Sequence, residues 1–160
     1  MTDTEHKPVV LIVDDEQMVL TSLSTFLELE TDYSVHTFLD PGEALEFGRA
    51  NGVDVVISDY LMPGMDGIVF LSAFREVRPH APRILLTGYA DKENAIKAIN
   101  EVGLFQYIEK PWDNDNLLLV LRNGIERTNL LRALDDKISE IDAAYGKLQG
   151  LQTDILKTFI

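Results

Sequence analysis

Five side chains in this sequence could act together on an anionic substrate: the carboxyls of Asp14, Asp15 and Asp59, the hydroxyl of Thr87 and the ammonium of Lys110. Three carboxylates brought close together repel one another, and one lysine cannot neutralise them. A hard divalent cation would, and Mg²⁺, with Mn²⁺ as the alternative, prefers oxygen ligands of this kind. Beside such a cation Asp59 becomes an oxygen nucleophile facing a cationic pocket. A pocket of that kind suits an incoming phosphoryl group, whose transition state needs charge neutralisation more than covalent help. Thr87 could donate a hydrogen bond to one phosphoryl oxygen, and Lys110 could pair with another as a point charge. Gly88 leaves room beside Thr87.

These residues are far apart in sequence, so the elements between them must bring them together. Apolar runs and helical stretches alternate five times. Val9 to Val13 is all apolar and reads as a buried parallel strand. Glu16 to Leu29 follows, with Val19, Leu20, Leu23, Phe26 and Leu27 on one helical face. Tyr33 to Phe38 alternates and reads as a second, more exposed strand. Asp40-Pro41 gives an N-cap and a first-turn proline to a helix that runs to about Ala50 and is broken by Asn51-Gly52. Val53 to Ser58 reads as a central third strand. A loop with Pro63, Gly64 and Gly67 follows, and Asp66 can cap a helix from Gly67 to Val77. Arg83 to Thr87 is the fourth strand. Asp91 can cap a helix through Val102, ended by Gly103. Phe105 to Ile108 is a short fifth strand, Lys110-Pro111 a turn, and Asp113 the cap of a last helix.

Strand and helix in alternation imply right-handed crossovers and a doubly wound α/β fold, a five-stranded parallel sheet with helices on both faces. Ligands in such folds sit at the carboxyl ends of the strands. The polar residues at those ends are Asp14-Asp15-Glu16 after the first strand, Asp59 after the third, Thr87 closing the fourth and Lys110 after the fifth. Each has an ordinary explanation: a helix cap, a turn residue, a strand threonine, a surface Lys-Pro turn. All four together, on one edge, are hard to produce by chance.

With those positions filled, the chain resembles the receiver domain of two-component response regulators. The matching pieces are VVLIVDDE, VDVVISDYLMPGMDG, RILLTGYA and FQYIEKPW, and the resemblance spans about residues 8–125. It implies the flavodoxin-like strand order 2-1-3-4-5, Asp59 as phosphoacceptor, and Asp15 and Asp59 as direct magnesium ligands. Asp14 would act near the metal through water, with the Leu61 carbonyl as a further ligand. It also implies a cis Lys110-Pro111 peptide that aims the lysine inward. Tyr107 stands at the switch-aromatic position, where the ring turns inward as Thr87 is drawn toward the phosphate. A sensor histidine kinase or phosphotransfer protein would be the donor, and the chain would act as a switch, not an enzyme. Two positions depart from the commoner pattern. Leu61 and Tyr89 stand where relatives often carry polar side chains that orient a hydrolytic water, and neither supplies a carboxylate or amide. A metal-dependent phosphatase or hydrolase on a similar sheet is the competing reading. It would want a covering cap insertion and a second acid or base near the nucleophile; the sequence has no obvious cap insertion, and no histidine lies near a strand end on that side.

The bulk composition narrows the field further. A net charge of -13 repels phosphate backbones and anionic lipid, so direct nucleic-acid or membrane binding is not expected. Without cysteine there is no disulfide or thiolate chemistry, and His6, His36 and His80 have no zinc-type spacing. No apolar run approaches the roughly 20 residues of a membrane span, and MTDTEHKP is no signal peptide, which makes a cytoplasmic protein the default.

The domain reading is a flexible N-terminus over 1–7, a receiver over 8–125 and a helical coiled-coil linker over 126–160. Nothing stops the last helix near Asn123. Leu131, Leu134, Ile138, Ile141, Tyr145, Leu148, Gln152, Ile155 and Phe159 are spaced by alternating threes and fours, a heptad seam. It predicts a parallel homodimer through 131–159, about 43 Å long if helical throughout. Gly146 and Gly150 weaken its distal half by roughly 1 kcal/mol each, and Gln152 in the seam could fix register. A helix folded back on the receiver is the plainer alternative. With no terminator before Ile160, the chain is expected to continue into an output module, by family analogy an HD-type cyclic-dinucleotide phosphodiesterase, with a nucleotide cyclase or a kinase module next.

Overall fold

The computed structural model describes residues 7–159, except the side chains of Tyr89 and of 153–159. Five strands and five helices alternate: β1 (Val9–Val13), α1 (Gln17–Glu30), β2 (Ser34–Phe38), α2 (Pro41–Ala50), β3 (Val55–Asp59), α3 (Gly67–Val77), β4 (Arg83–Gly88), α4 (Lys92–Val102), β5 (Gln106–Lys110) and α5 (Asn114–Phe159). All strand pairs are parallel and the order is β2-β1-β3-β4-β5, as the alternation and the resemblance predict. The chain divides into two compact units after Thr128.

In the first unit, β1 and β3 are apolar on both faces because both faces are covered. Leu11, Val13, Val56 and Leu85 join Phe70, Leu71 and Phe74 of α3 on one side. Val10, Ile12, Ile57 and Ile84 join Leu20, Leu23 and Leu27 of α1 and Leu117 and Leu121 of α5 on the other. The edge strand β2 is half-buried along its whole length, so its alternation of residue types produces no alternation in burial.

Local chemistry sets the helix starts. The Asp40 carboxylate accepts from the Glu43 amide with Pro41 in the first turn, and Asp66 accepts from Val69. Asp113 accepts from Asn116 at the start of α5. Asp91 is a correction. It occupies the N-cap position of α4 but makes no side-chain cap bond, because the chain enters through a 3₁₀ turn over Tyr89–Asp91 that leaves Asp91 at ψ 8°. Gly103 ends α4 in the left-handed region, at φ 71°, which glycine adopts without a Cβ penalty.

The first part of α5 is held by Leu117, Val120, Leu121 and Ile125, all buried. The Thr128 hydroxyl donates to the Asp54 carbonyl at 2.7 Å. In the second unit the chain is helical through Phe159, and the seam residues Leu134, Ile138, Ile141, Tyr145 and Leu148 are exposed, as is Leu151 beside them. An exposed Lys137–Glu140 pair at 3.3 Å supports this stretch. The side chains of Ile155 and Phe159, placed in the seam by their spacing, lie outside the described residues. Among the described residues no helix is long and apolar enough to cross a membrane.

Candidate phosphoacceptor site

The carboxyl ends of β1, β3 and β5 converge on one point. Asp14 follows β1, with its amide donating to the Phe38 carbonyl of β2 at 3.2 Å. Asp59 and Lys110 are the last residues of β3 and β5, which run one and two residues further than polarity suggested. The Lys110 Nζ donates to Asp59 Oδ1 at 2.9 Å and to Asp14 Oδ2 at 3.2 Å. Asp14 is buried, and its other oxygen accepts from the Glu16 amide at 2.8 Å. The Lys110-Pro111 peptide is cis.

Asp15 is exposed beside this pair, and carboxylate oxygens of Asp14, Asp15 and Asp59 lie within 4.8 Å of one another. Burial pushes the Asp14 carboxyl up, and the Asp59 charge adds to the rise against the Glu16 amide bond and Lys110. Burial also pushes Asp59 up, opposed by its Lys110 bond, with the Asp15 charge adding to the rise. For Lys110, burial acts downward, but the Asp59 bond and the two carboxylate charges outweigh it and hold the ammonium above its ordinary range. The ammonium is thus firmly charged, and it is one positive charge against three carboxyls. An all-oxygen donor set that carries surplus negative charge and is partly desolvated fits a hard divalent cation. The carboxyls of Asp14, Asp15 and Asp59 are close enough together to share such an ion.

Thr87 is buried near the end of β4, and its hydroxyl donates to the neighbouring Gly88 carbonyl at 3.3 Å, a long bond that is easily exchanged. Tyr107 sits half-buried on β5, its Cα partnered with Leu85, and packs against the α3 side of the core. Leu61 is 59% exposed in the loop after β3. The side chain of Tyr89 lies outside the described residues.

Gly67 has a part in the site that its reading as a helix start missed. Its amide donates to the Tyr60 carbonyl at 2.6 Å, and a Cβ at this position would collide with the Asp59 carbonyl group. The absent side chain is what lets α3 begin directly against the end of β3 at Asp59. The signal in the sequence was a second glycine soon after the Pro63-Gly64 turn, where one already suffices to reverse the chain.

Residues 10–122 match the family model described as the response regulator receiver domain. The hydrogenase transcriptional regulatory protein HoxA of Cupriavidus necator is 36% identical over 127 residues, 79% of this chain and 26% of that protein. The chain therefore spans about a quarter of the length of that relative. Among solved structures, the signal receiver domain of an HD domain-containing protein from Pseudomonas fluorescens Pf-5 is 37% identical with a TM-score of 0.74, covering 79% of this chain and 93% of that one. A structure described as adenylate cyclase, from Rhodopirellula baltica, is 26% identical with a TM-score of 0.78, covering 84% of this chain and 98% of that one.

Proposed function

This chain belongs to the response regulator receiver domain family, whose members signal by phosphorylation, and from that premise we propose that Asp59 is its phosphoacceptor. Receiver domains take phosphoryl groups from histidine kinases, and the hydrolase reading is not favoured. The observation that carries the assignment is the Lys110 ammonium bridging Asp59 and Asp14 beside a third carboxyl, Asp15. An Asp59 oxygen attacks the phosphorus of the donor, the bond to the donor's leaving atom breaks, and an acyl phosphate remains on the carboxyl. Lys110 keeps its charge and exchanges a carboxylate for a phosphoryl oxygen. Mg²⁺ held by Asp15, Asp59 and the Leu61 carbonyl supplies charge neutralisation when bound. Thr87 gives up its weak Gly88 bond to donate to the phosphoryl group, and Tyr107 turns into the space this opens.

Leu61, and Tyr89 by its type alone, offer no carboxylate or amide to orient a hydrolytic water, which supports a long-lived phosphoryl state. We further infer that residues 8–125 act as the switch and 126–160 as a linker that pairs in parallel. The exposed apolar seam supports this, and so does its charge pattern. In an in-register parallel pair Lys137 of one helix faces Asp142 of the other, whereas an antiparallel pair would bring Asp135 and Asp142 onto their own kind. An HD-type output module is supported by the 37% identical receiver, which comes from an HD domain-containing protein, with a cyclase next. The acidic charge of this chain argues that it does not itself touch nucleic acid or membrane, and a cytoplasmic setting follows from the kinase partner. Incubation with acetyl phosphate and Mg²⁺ tests the core of this reading. A stable mass gain of one phosphoryl group supports it, and turnover of phosphorylated substrates without such a gain contradicts it.

A further inference from the structure

The other edge of the sheet carries the opposite charge. A concavity of about 270 Å³ is lined there by Arg75, His80, Pro82, Arg83, Gly103 and Arg127, in a chain whose net charge is -13. The three arginines come from the end of α3, the start of β4 and α5, so only the fold brings them together. Arg83 is 6% exposed. Its guanidinium is fixed by bonds to carbonyls alone: Nη1 to Leu71 at 3.1 Å, and Nη2 to Val102 and Gly103, each at 2.9 Å. The Arg127 guanidinium lies 5.4 Å from the Phe105 ring centroid, which orients it without neutralising it.

Among the described residues no carboxylate pairs with Arg75, Arg83 or Arg127. Burial lowers the Arg83 pKa, and the charges of Arg75 and Arg127 lower it further, so its charged neighbours are cations. A plainer account is that these arginines complement the negative ends of α3 and α4. That explains Arg83, whose donors meet the last carbonyls of α4. It leaves the exposed heads of Arg75 and Arg127 lining the same space with no carboxylate partner among the described residues.

We propose that this concavity binds a small phosphate-bearing oxyanion, gripped by the forks of Arg75 and Arg127 over the fixed guanidinium of Arg83. Guanidinium forks match phosphate oxygens two at a time, and several cations around one point suit a group of about -2 charge better than a single carboxylate. The volume is just below the roughly 300–1,000 Å³ usual for drug-sized ligands, enough for a phosphoryl group and a few more atoms. The proposal is independent of Asp59 chemistry, since inorganic phosphate transfers no phosphoryl group.

The test is an amide and arginine side-chain NMR titration of the full chain without Mg²⁺, using inorganic phosphate and phosphoserine as probes and chloride at matched ionic strength as control. The expected result is saturable shifts confined to residues around 75, 79–83, 103 and 127. Affinity should fall at least tenfold in Arg75→Gln and in Arg127→Gln, whose exposed heads can be replaced without unfolding the domain. Tighter binding of phosphoserine would identify a phosphomonoester as the ligand, and tighter binding of phosphate the free ion. Shifts that stay linear, that chloride reproduces, or that both variants retain unchanged would overturn the proposal.

Discussion

Replacing Lys110 by methionine removes the one cation that holds two buried carboxylates and keeps most of the side chain's bulk. At 2.9 and 3.2 Å, the two pairs it makes are each worth about 5–6 kcal/mol of gross attraction at an effective dielectric constant near 20. Desolvation cancels much of that, but deleting one partner leaves the other charges buried and unpaired, which typically costs 3–5 kcal/mol. The Lys110 side chain is 23% exposed, so water replaces part of the loss. A value of about 3 kcal/mol follows at neutral pH. Urea denaturation in EDTA and in Mg²⁺ measures it. Metal-free Lys110→Met should unfold at lower urea with an unchanged slope, and Mg²⁺ should stabilise it more than the wild type, because the metal then replaces the missing ammonium. The pH dependence has a defined sign. Asp14 and Asp59 already titrate above their unfolded values, and losing Lys110 raises them further. A raised acid pKa favours the fold below the unfolded pKa, near 3.9, and that advantage is lost as pH rises through the folded value. The deficit of Lys110→Met relative to wild type should therefore be small near pH 4, grow as pH rises and level off once both carboxyls of the variant are ionised. Equal stability at neutral pH, or equal gains from Mg²⁺, would refute the claim that Lys110 offsets the carboxylate cluster.

Further outcomes follow from the same geometry. Gly67→Val should displace the start of α3 from Asp59 and slow phosphorylation by tenfold or more while the sheet survives, read as acetyl phosphate labelling against the circular dichroism spectrum. Leu61→Asn combined with Tyr89→Glu should shorten the lifetime of the phosphorylated state, and decay no faster than wild type would remove the shielding idea. Ile141→Glu, at a central seam position, should convert a dimer to a monomer in sedimentation equilibrium. A wild type that is monomeric at every concentration would end the coiled-coil reading and leave the receiver untouched.

Much of this was legible because strand ends advertise themselves. An all-apolar run such as Val9–Val13 followed at once by Asp14 marks both a buried strand and the edge where it stops. Polarity taken as the boundary ends β3 at Ser58 and β5 at Ile108, short of Asp59 and Lys110. The ladder in fact carries both into the sheet, at the edge where site chemistry is housed. Asp91 looked like its neighbours Asp40 and Asp66, and only the 3₁₀ turn before it distinguishes them. The Asp59–Gly67 approach and the meeting of Arg75, Arg83 and Arg127 are tertiary facts. Their residues are separated by turns and helices, and no local period links them.

The central claim is that one carboxyl, Asp59, takes the phosphoryl group. Intact-mass analysis with peptide mapping after acetyl phosphate and Mg²⁺ treatment, run in parallel on wild type and Asp59→Asn, tests it directly. The account predicts a gain of one phosphoryl group on the peptide containing Asp59, lost in Asp59→Asn and suppressed by EDTA. Equal labelling of Asp59→Asn, or a label mapping to any other residue, would contradict it.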